Sequence, residues 1–482
     1  SLLVIGALGW SVLWFVGRAA IADRLDEGVA SLSTDGVRIE VGAREINGFP
    51  FGYTAVFDDV TLHDPANGAR YELPRLTGAV EVTAPDRLVT RFPESFAMTL
   101  AGPDGRERRV DVESEGLRLI AQGLPGSDQR AELAADAVML VQADEDGGPK
   151  LAVDVVDLSA EVERPAPASP EVPRVAARIG RLDYALVLPA AEGGRLSIEG
   201  EVSEARLAGR IGLIADGGLE RLVSGHARRP GSSSVSVTGA RSVTRLTVSG
   251  VSETGDGRID LATGPVSAVV EVDGPMLTAR ASVTSGRMGL AGPDGAARGA
   301  LGTGPLSVTL TIPMAPGGET HPLILALSLA EARPDGRLWA LLDGNGVLER
   351  EPLSLDLDIA GEGRLTRPLD RFAAGRDLPI APERLEIERF ALEGLGAKAG
   401  ATGKVRFVGT PPRPSGRIDL ELEGALGLMR ALREAELLTE AQLQTLATTA
   451  ALYTTGGEGP DSLKSAVTLD MDAIRVNGRK IR

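Results

Sequence analysis

The chain has no cysteine, which excludes disulfides, thiolate metal sites and a cysteine nucleophile and leaves its redox compartment without a mark in the sequence. Aromatic residues make up only 3% of the 482 positions. The three histidines, His63, His226 and His321, lie far apart, and none has a second His or Cys at a ligand spacing. A zinc site is therefore not expected, and neither is a nucleic-acid surface of stacked rings. Positive charge is also scarce. The 51 Lys plus Arg stand against 67 Asp plus Glu, a net charge of -16, which argues against a partner held by phosphate neutralisation and for apolar or basic partners. What is abundant is glycine (60) and proline (30) among 43% hydrophobic residues, the composition of turn-rich aliphatic strands rather than of a helical bundle or a disordered tail.

From Val37 onward the dominant pattern is alternation. Leu353, Leu355, Leu357 and Ile359 alternate with Ser354, Asp356 and Asp358, and Ile418, Leu420 and Leu422 with Asp419, Glu421 and Glu423. The same holds for Leu306, Val308, Leu310 and Ile312, for Val467, Leu469 and Met471, and for Val235 and Val237. A period of two places apolar side chains on one face and carboxylates on the other, so the expected fold is mainly β: a long, largely antiparallel, one-faced sheet. Asp104-Gly105, Asp256-Gly257, Asp335-Gly336 and Asn477-Gly478 have the form of hairpin turns. Few helices are expected. Ala425 to Leu438 is one, and Thr439 with Gln442 forms a capping box opening a second that runs to about Ala450; weaker helical patterns lie at 86–92, 213–223, 337–342 and 368–374.

A one-faced sheet must cover its apolar side, and here helices and aromatics are scarce. Either the sheet folds over itself as a sandwich, or it curls into a trough lined by aliphatic residues; alternation does not separate the two. In the trough, Leu306, Val308, Leu310, Leu355, Leu357, Leu420 and Leu469 line a groove able to shelter an acyl chain, at about 0.8 kcal/mol per buried CH₂.

Residues 2–17 are uncharged and mostly aliphatic, with Trp10 and Trp14 near the far end and Arg18 closing the run. At about 1.5 Å per residue they fall short of a bilayer core, but the chain starts without methionine. Ala20-Ile21-Ala22 offers a signal-cleavage pattern, whereas the stripe Ile21, Leu25, Val29 and Leu32 continues a helix across it, which favours an uncleaved anchor. The expected organisation is an anchor helix over 1–35, a β region over 36–163, a proline-rich linker over 164–174, a central β region over 175–410, and a strand, helical pair and closing strands over 411–482.

The segment Asn47-Gly48-Phe49-Pro50-Phe51-Gly52-Tyr53, with Phe57-Asp58-Asp59-Val60-Thr61-Leu62, Pro74 and the closing Val476-Asn477-Gly478, resembles the bacterial family called domain of unknown function 2125. The Gly48-Phe49-Pro50-Phe51 core marks the resemblance, and Gly52-Tyr53 departs from the family pattern. It implies an inner-membrane anchor, a β-rich periplasmic body and, by analogy with AsmA-like proteins, lipid handling, and it brings no catalytic residues and no cofactor. Pro50 biases Phe49 to extended geometry, so Phe49 and Phe51 are expected to pack a sheet edge.

No catalytic constellation emerges. His63-Asp64 has no Gly-x-Ser-x-Gly elbow to serve, Gly403-Lys404 lacks the Ser or Thr of a phosphate loop, and Asp144-Glu145-Asp146-Gly147 lacks the later ligands of a calcium loop. The pairs Asp356/Asp358 and Asp470/Asp472 repeat polar positions that the alternation already demands. The basic cluster His226, Arg228, Arg229, Arg241 and Arg245 is interleaved with Ser and Thr, as on a solvated strand. The expected function is not enzymatic. It is lipid handling or envelope maintenance at the inner membrane with a phospholipid or another lipid; the alternative is a structural scaffold holding a membrane-complex partner.

Overall fold

The computed structural model describes residues 38–481 apart from 50–51, 65–68, 102–106, 124–126, 143–149, 167–171, 190–193, 212–232, 250–256, 293–294, 315, 368–379, 410–411, 458–460 and 472. The anchor expected over 1–35, the helices expected at 213–223 and 368–374 and the turns at 104–105 and 256–257 lie wholly or partly outside the described residues. Among the described residues no helix is long and apolar enough to cross a membrane. The chain divides into two units, one comprising 1–208 and 246–254, the other 209–245 and 255–482.

The first unit is an antiparallel ladder of β1 (Arg38–Asn47), β2 (Gly52–Asp64), β3 (Ala69–Glu81), β4 (Ala84–Arg91), β5 (Ser95–Ala101), β6 (Glu107–Glu115), β7 (Arg118–Gln122), β8 (Gln129–Gln142), β9 (Lys150–Arg164) and β10 (Arg174–Pro189). β3 pairs with both β4 and β5, and β8 with both β6 and β7, so each short pair behaves as one long arm with a break in the middle. β9 and β10 face each other through Glu163↔Arg174, which makes 164–173 a hairpin connection inside one sheet rather than a linker between domains. The pattern at 86–92 is a strand, not a helix, because β4 is paired on both sides, by β3 and β7.

The breaks form a line. The register passes from Val41↔Val60 to Ala43↔Asp58, from Asp58↔Arg75 to Val60↔Leu73, from Ala135↔Leu158 to Ala137↔Val156, and from Ile179↔Leu158 to Arg181↔Val156. Each strand thus holds one residue that the pairing skips while the register is kept, and two of these, Asp59 and Asp157, have φ of 54° and 55°. Asp157 needs a bare backbone opposite, since a Cβ on Gly180 would stand 3.0 Å from its own Cβ. Across this unpaired residue the apolar positions change from odd to even, as in Val153 and Val155 before Asp157 and Leu158 and Ala160 after it. The apolar face nevertheless stays continuous. The core of the unit, Val112, Ala135, Val138 and Val155, draws on both sides of the line, with Leu158, Ile179 and Leu182 packed on it.

β11 (Arg195–Ile211), β12 (Ser233–Gly239) and β13 (Arg241–Ser249) follow, β11 and β13 having residues in both units. The second unit continues with β14 (Gly257–Thr263), β15 (Val266–Asp273), β16 (Met276–Val283), β17 (Gly286–Ala291), β18 (Ala297–Thr303), β19 (Leu306–Pro313) and β20 (His321–Pro334). Beyond helix α1 (Gly336–Leu342) come β21 (Leu353–Leu365), β22 (Ile380–Gly394), β23 (Ala397–Val408) and β24 (Arg413–Glu423). Helices α2 (Ala425–Glu434) and α3 (Glu440–Tyr453) precede β25 (Thr455–Gly456), β26 (Ser462–Asp470), β27 (Ala473–Val476) and β28 (Arg479–Lys480). One antiparallel ladder runs β12-β15-β16-β19-β20-β21-β22-β23-β24-β26-β27-β28. A branch, β14-β17-β18, rejoins it at β20.

The turn at 477–478 is the expected two-residue hairpin, with φ of 48° and 79° and Val476 paired to Arg479. Asp335-Gly336 is not a hairpin. Asp335 caps α1, its carboxylate accepting from Leu338 N at 2.9 Å. The capping box at Thr439 and Gln442 is present, although α2 ends at Glu434, four residues before the sequence pattern does.

α1 packs on β18 and β20, and Trp339 of the helix, Ala300 of β18 and Ala332 of β20 are all buried. Asp343, 1% exposed, accepts from Val347 N at 3.0 Å and Leu348 N at 2.8 Å. Burial pushes this carboxyl up, but the N–H groups of Leu348, Val347 and Gly346, with the Arg350 cation, outweigh it and hold it below the usual carboxylate range. A lowered folded value means that the stabilisation is complete above the unfolded value of about 4 and is lost as pH falls through the folded one. Thermal melts between neutral and strongly acid pH should therefore show a loss beginning below about pH 4, and Asp343→Asn should remove part of that dependence while melting lower at neutral pH.

Candidate functional site

The seven groove candidates all lie on one face of the second unit's ladder. Antiparallel partners point to the same side of a sheet, so the register lists a face directly. One row reads Val237, Ala268, Ala281, Val308, Leu327, Leu357, Phe390, Ala401, Leu420 and Ser465. A second reads Val235, Val270, Ala279, Leu310, Leu325, Ile359, Ile387, Gly403, Ile418 and Val467. A third reads Val266, Val283, Leu306, Leu329, Leu355, Leu392, Ala399, Leu422 and Leu463. Leu469 opens a fourth with Gly416, Val405, Leu385, Gly361 and Leu323. The first three rows hold no hydrogen-bonding side chain except Ser465, and no charge.

None of the seven is buried. Val308 and Leu420 are 36% and 37% exposed, and Leu306, Leu310, Leu355, Leu357 and Leu469 are half-buried. Leu325 and Leu392, which alternation at 306–312 and 353–359 does not reveal, are 38% and 42% exposed on the same face. They belong to β20 and β22. In β22 the apolar run Leu385, Ile387 resumes one residue late at Phe390, because the register skips at 388–389, and the slip hides the strand from a strict period of two.

The opposite face is knit by charge. Asp356 accepts from Ser328 Oγ at 2.7 Å and pairs with Arg389 at 3.3 Å. Lys404 meets Glu386 at 2.7 Å, Arg417 meets Asp419 at 2.7 Å and Lys464 meets Glu421 at 2.9 Å. Hydrogen bonding from Arg417 holds the Asp419 carboxyl below its usual range. Such exposed pairs add little stability, but they keep this face wet.

The other sequence candidates lie elsewhere. Gly48 and Phe49 stand at the tip of the β1–β2 hairpin, where Gly52 N donates to Gly48 O at 3.1 Å. Gly48, with φ of 109°, tolerates no side chain, since a Cβ would stand 2.8 Å from Gly52 O. Phe49 is 52% exposed there, not packed in a sheet edge as expected, because the chain reverses at this point instead of continuing as a strand. Pro50, Phe51, Trp10, Trp14 and Arg18 lie outside the described residues. His63 is in β2 and His321 in β20, and no group of three or more metal-ligating side chains is gathered among the described residues.

Helices α2 and α3 interrupt the ladder between β24 and β26. Both ends of this helical hairpin are tied to the sheet: Asp461 accepts from Leu426 N and Gly427 N at 3.1 and 3.0 Å, and Asn477 Nδ2 and Ser465 Oγ both donate to Tyr453 O at 2.9 Å. No residue of either helix is buried, and Leu426, Leu446 and Leu452 are exposed, as is Leu437 in the connection between them.

Residues 14–222 match the model of a family described as an uncharacterized protein conserved in bacteria, DUF2125. This stretch of the chain is similar to DUF2125. This is the family that the Gly48-Phe49-Pro50-Phe51 segment resembles, and the matched stretch includes that hairpin tip and the whole ladder from β1 to β10. The DUF2125 match ends before the seven face residues, which begin at Leu306. No curated protein and no solved structure matches the chain.

Proposed function

We propose that the protein handles lipid at the bacterial inner membrane, its second unit offering an open aliphatic groove to acyl chains, with the N-terminal apolar run as the anchor and the body in the periplasm. The observation that carries this reading is the uncharged three-row face, whose central residues are not covered. In a closed sandwich these side chains would be buried against a second sheet at interior packing density; here Val308, Leu325, Leu392 and Leu420 remain more than a third exposed. An exposed patch of this extent is rare on a protein without a partner for it. Rows without donors, acceptors or charge suit a ligand that needs only burial, and each CH₂ placed there contributes about 0.8 kcal/mol. The compartment and the AsmA-like analogy rest on the DUF2125 resemblance, and the anchor on Trp10, Trp14 and Arg18.

The exposed leucines of the α2–α3 hairpin favour a second reading, a scaffold that holds a membrane-complex partner. Photocrosslinkers at Leu357 and Leu420, with mass spectrometry of gently purified protein, separate the two. Acyl-lipid adducts at these positions are expected. No co-purifying lipid and no adduct at either position would overturn the lipid reading and leave the scaffold.

A further inference from the structure

The first unit has an apolar row of its own, Tyr53, Val80, Leu88, Ala121, Ala131, Val162 and Val175, running across seven strands. Leu88 and Val162 in it are 38% and 40% exposed. Two residues further along β8 and β9, on the same face, the row gives way to the register pair Gln129↔Arg164. A cavity of about 570 Å³ opens at this point, with Gly123, Asp128, Arg164 and Pro165 in its lining.

The charges around it are not equivalent. Arg130 pairs with Glu161 at 2.7 Å, Arg174 with Glu163 at 4.0 Å, and Asp128 accepts from Ala166 N at 2.8 Å. Arg164 has no ion-pair partner among the described residues and is exposed. Asp86 lines the cavity on the β4 side, three strands and so roughly 14 Å from Arg164. A free guanidinium about 7 Å along the strand from an exposed apolar row is the arrangement that recognises an anion joined to a hydrocarbon chain.

We propose that this cavity takes the anionic head of an acyl amphiphile on Arg164 while its chain lies along the row through Val162 and Leu88. The site is separate from the second unit's face, and it shares with the lipid reading above only the class of ligand. Asp86 repels the head from the β4 wall and so fixes its position at β9.

The test uses the full chain with hexadecyl phosphate, hexadecanol and inorganic phosphate as probes, and a photocrosslinker at Val162. Hexadecyl phosphate should bind and form an adduct at Val162. Arg164→Gln should weaken it about tenfold, Arg164→Lys less because the charge remains, and Asp86→Asn should tighten it. Hexadecanol binding should respond to none of the three. Arg164 is exposed and unpaired, so these variants are expected to fold, which unchanged melting would verify. Equal affinity of the wild type and Arg164→Gln for hexadecyl phosphate overturns the proposal, as does inorganic phosphate binding as tightly as the amphiphile. Adducts at Leu420 without any at Val162 overturn this site alone; adducts at Val162 without any at Leu357 or Leu420 overturn only the second unit's groove.

Discussion

Gly299→Ala should destabilise the second unit by about 3 kcal/mol, a large effect for one methyl group. Gly299 lies in β18 under α1, and a Cβ there would stand 2.8 Å from Leu338 Cβ and 2.9 Å from its Cα and N. Two of these are backbone atoms of a helix, which cannot turn aside as a flexible side chain can, so α1 must lift. Lifting it separates the helix, with its buried Trp339, from β18 and β20, where Ala300 and Ala332 are buried, and pulls on the Asp335 and Asp343 caps. Gly257→Ala in β14 is the matched control: nothing lies within 4 Å of a Cβ there, and its melting should hardly change. In a Trp10→Phe, Trp14→Phe background, emission reports Trp339 alone, and Gly299→Ala should shift it to the red. Equal melting of the two glycine variants would mean that α1 is not fixed on the sheet.

Alternation makes the mainly β, antiparallel character of the chain readable from the sequence, and it places Leu306, Val308, Leu310, Leu355, Leu357, Leu420 and Leu469 on one side without any coordinates. What it does not reveal is how far that side extends. Strands of 13 to 17 residues such as β9, β11, β20 and β22 are too long to stay in a single phase here. Each of those four contains one residue or more that the pairing skips or that adopts positive φ, Asp157, Glu204 and Glu331 among them. A strict period of two breaks there, so β22 with Ile387 and Phe390 reads as two fragments.

The same physics misleads at the turns. Asp-Gly at 335–336 has the residues of a hairpin, but Asp335 serves equally well as a helix cap, and the choice is made by the backbone bond from Asp335 N to Ala300 O, 35 residues away. The prolines at 165–173 suggest a linker until the pairing of β9 with β10 is seen. Asn477-Gly478, where local and tertiary preferences agree, is read correctly. Asn477 also holds Ala466 N on its Oδ1 at 2.7 Å and Tyr453 O on its Nδ2, a role that no local pattern announces.

Leu420→Glu should abolish the bulk of lipid co-purification while leaving the fold in place, and the contrast with Leu365→Ala makes this a test of function rather than of stability. Leu420 is 37% exposed, so a glutamate there can keep its carboxylate in water, and the stability change should stay below about 1 kcal/mol. An acyl chain lying on the row between Ala401 and Ser465 would have to strip that water away. Burying an unpaired carboxylate costs several kcal/mol, more than a few methylene contacts return, and a fall in bound lipid of tenfold or more follows. Leu365 is 1% exposed, and its truncation should cost about 3 kcal/mol through the cavity it leaves. Leu365→Ala should melt early but retain its lipid per folded molecule; Leu420→Glu should melt normally and lose it. Were both variants to lose lipid in proportion to their stability, the uncovered face would be only a weak part of the core, and the rows of leucine and valine would have to be explained by a protein partner instead.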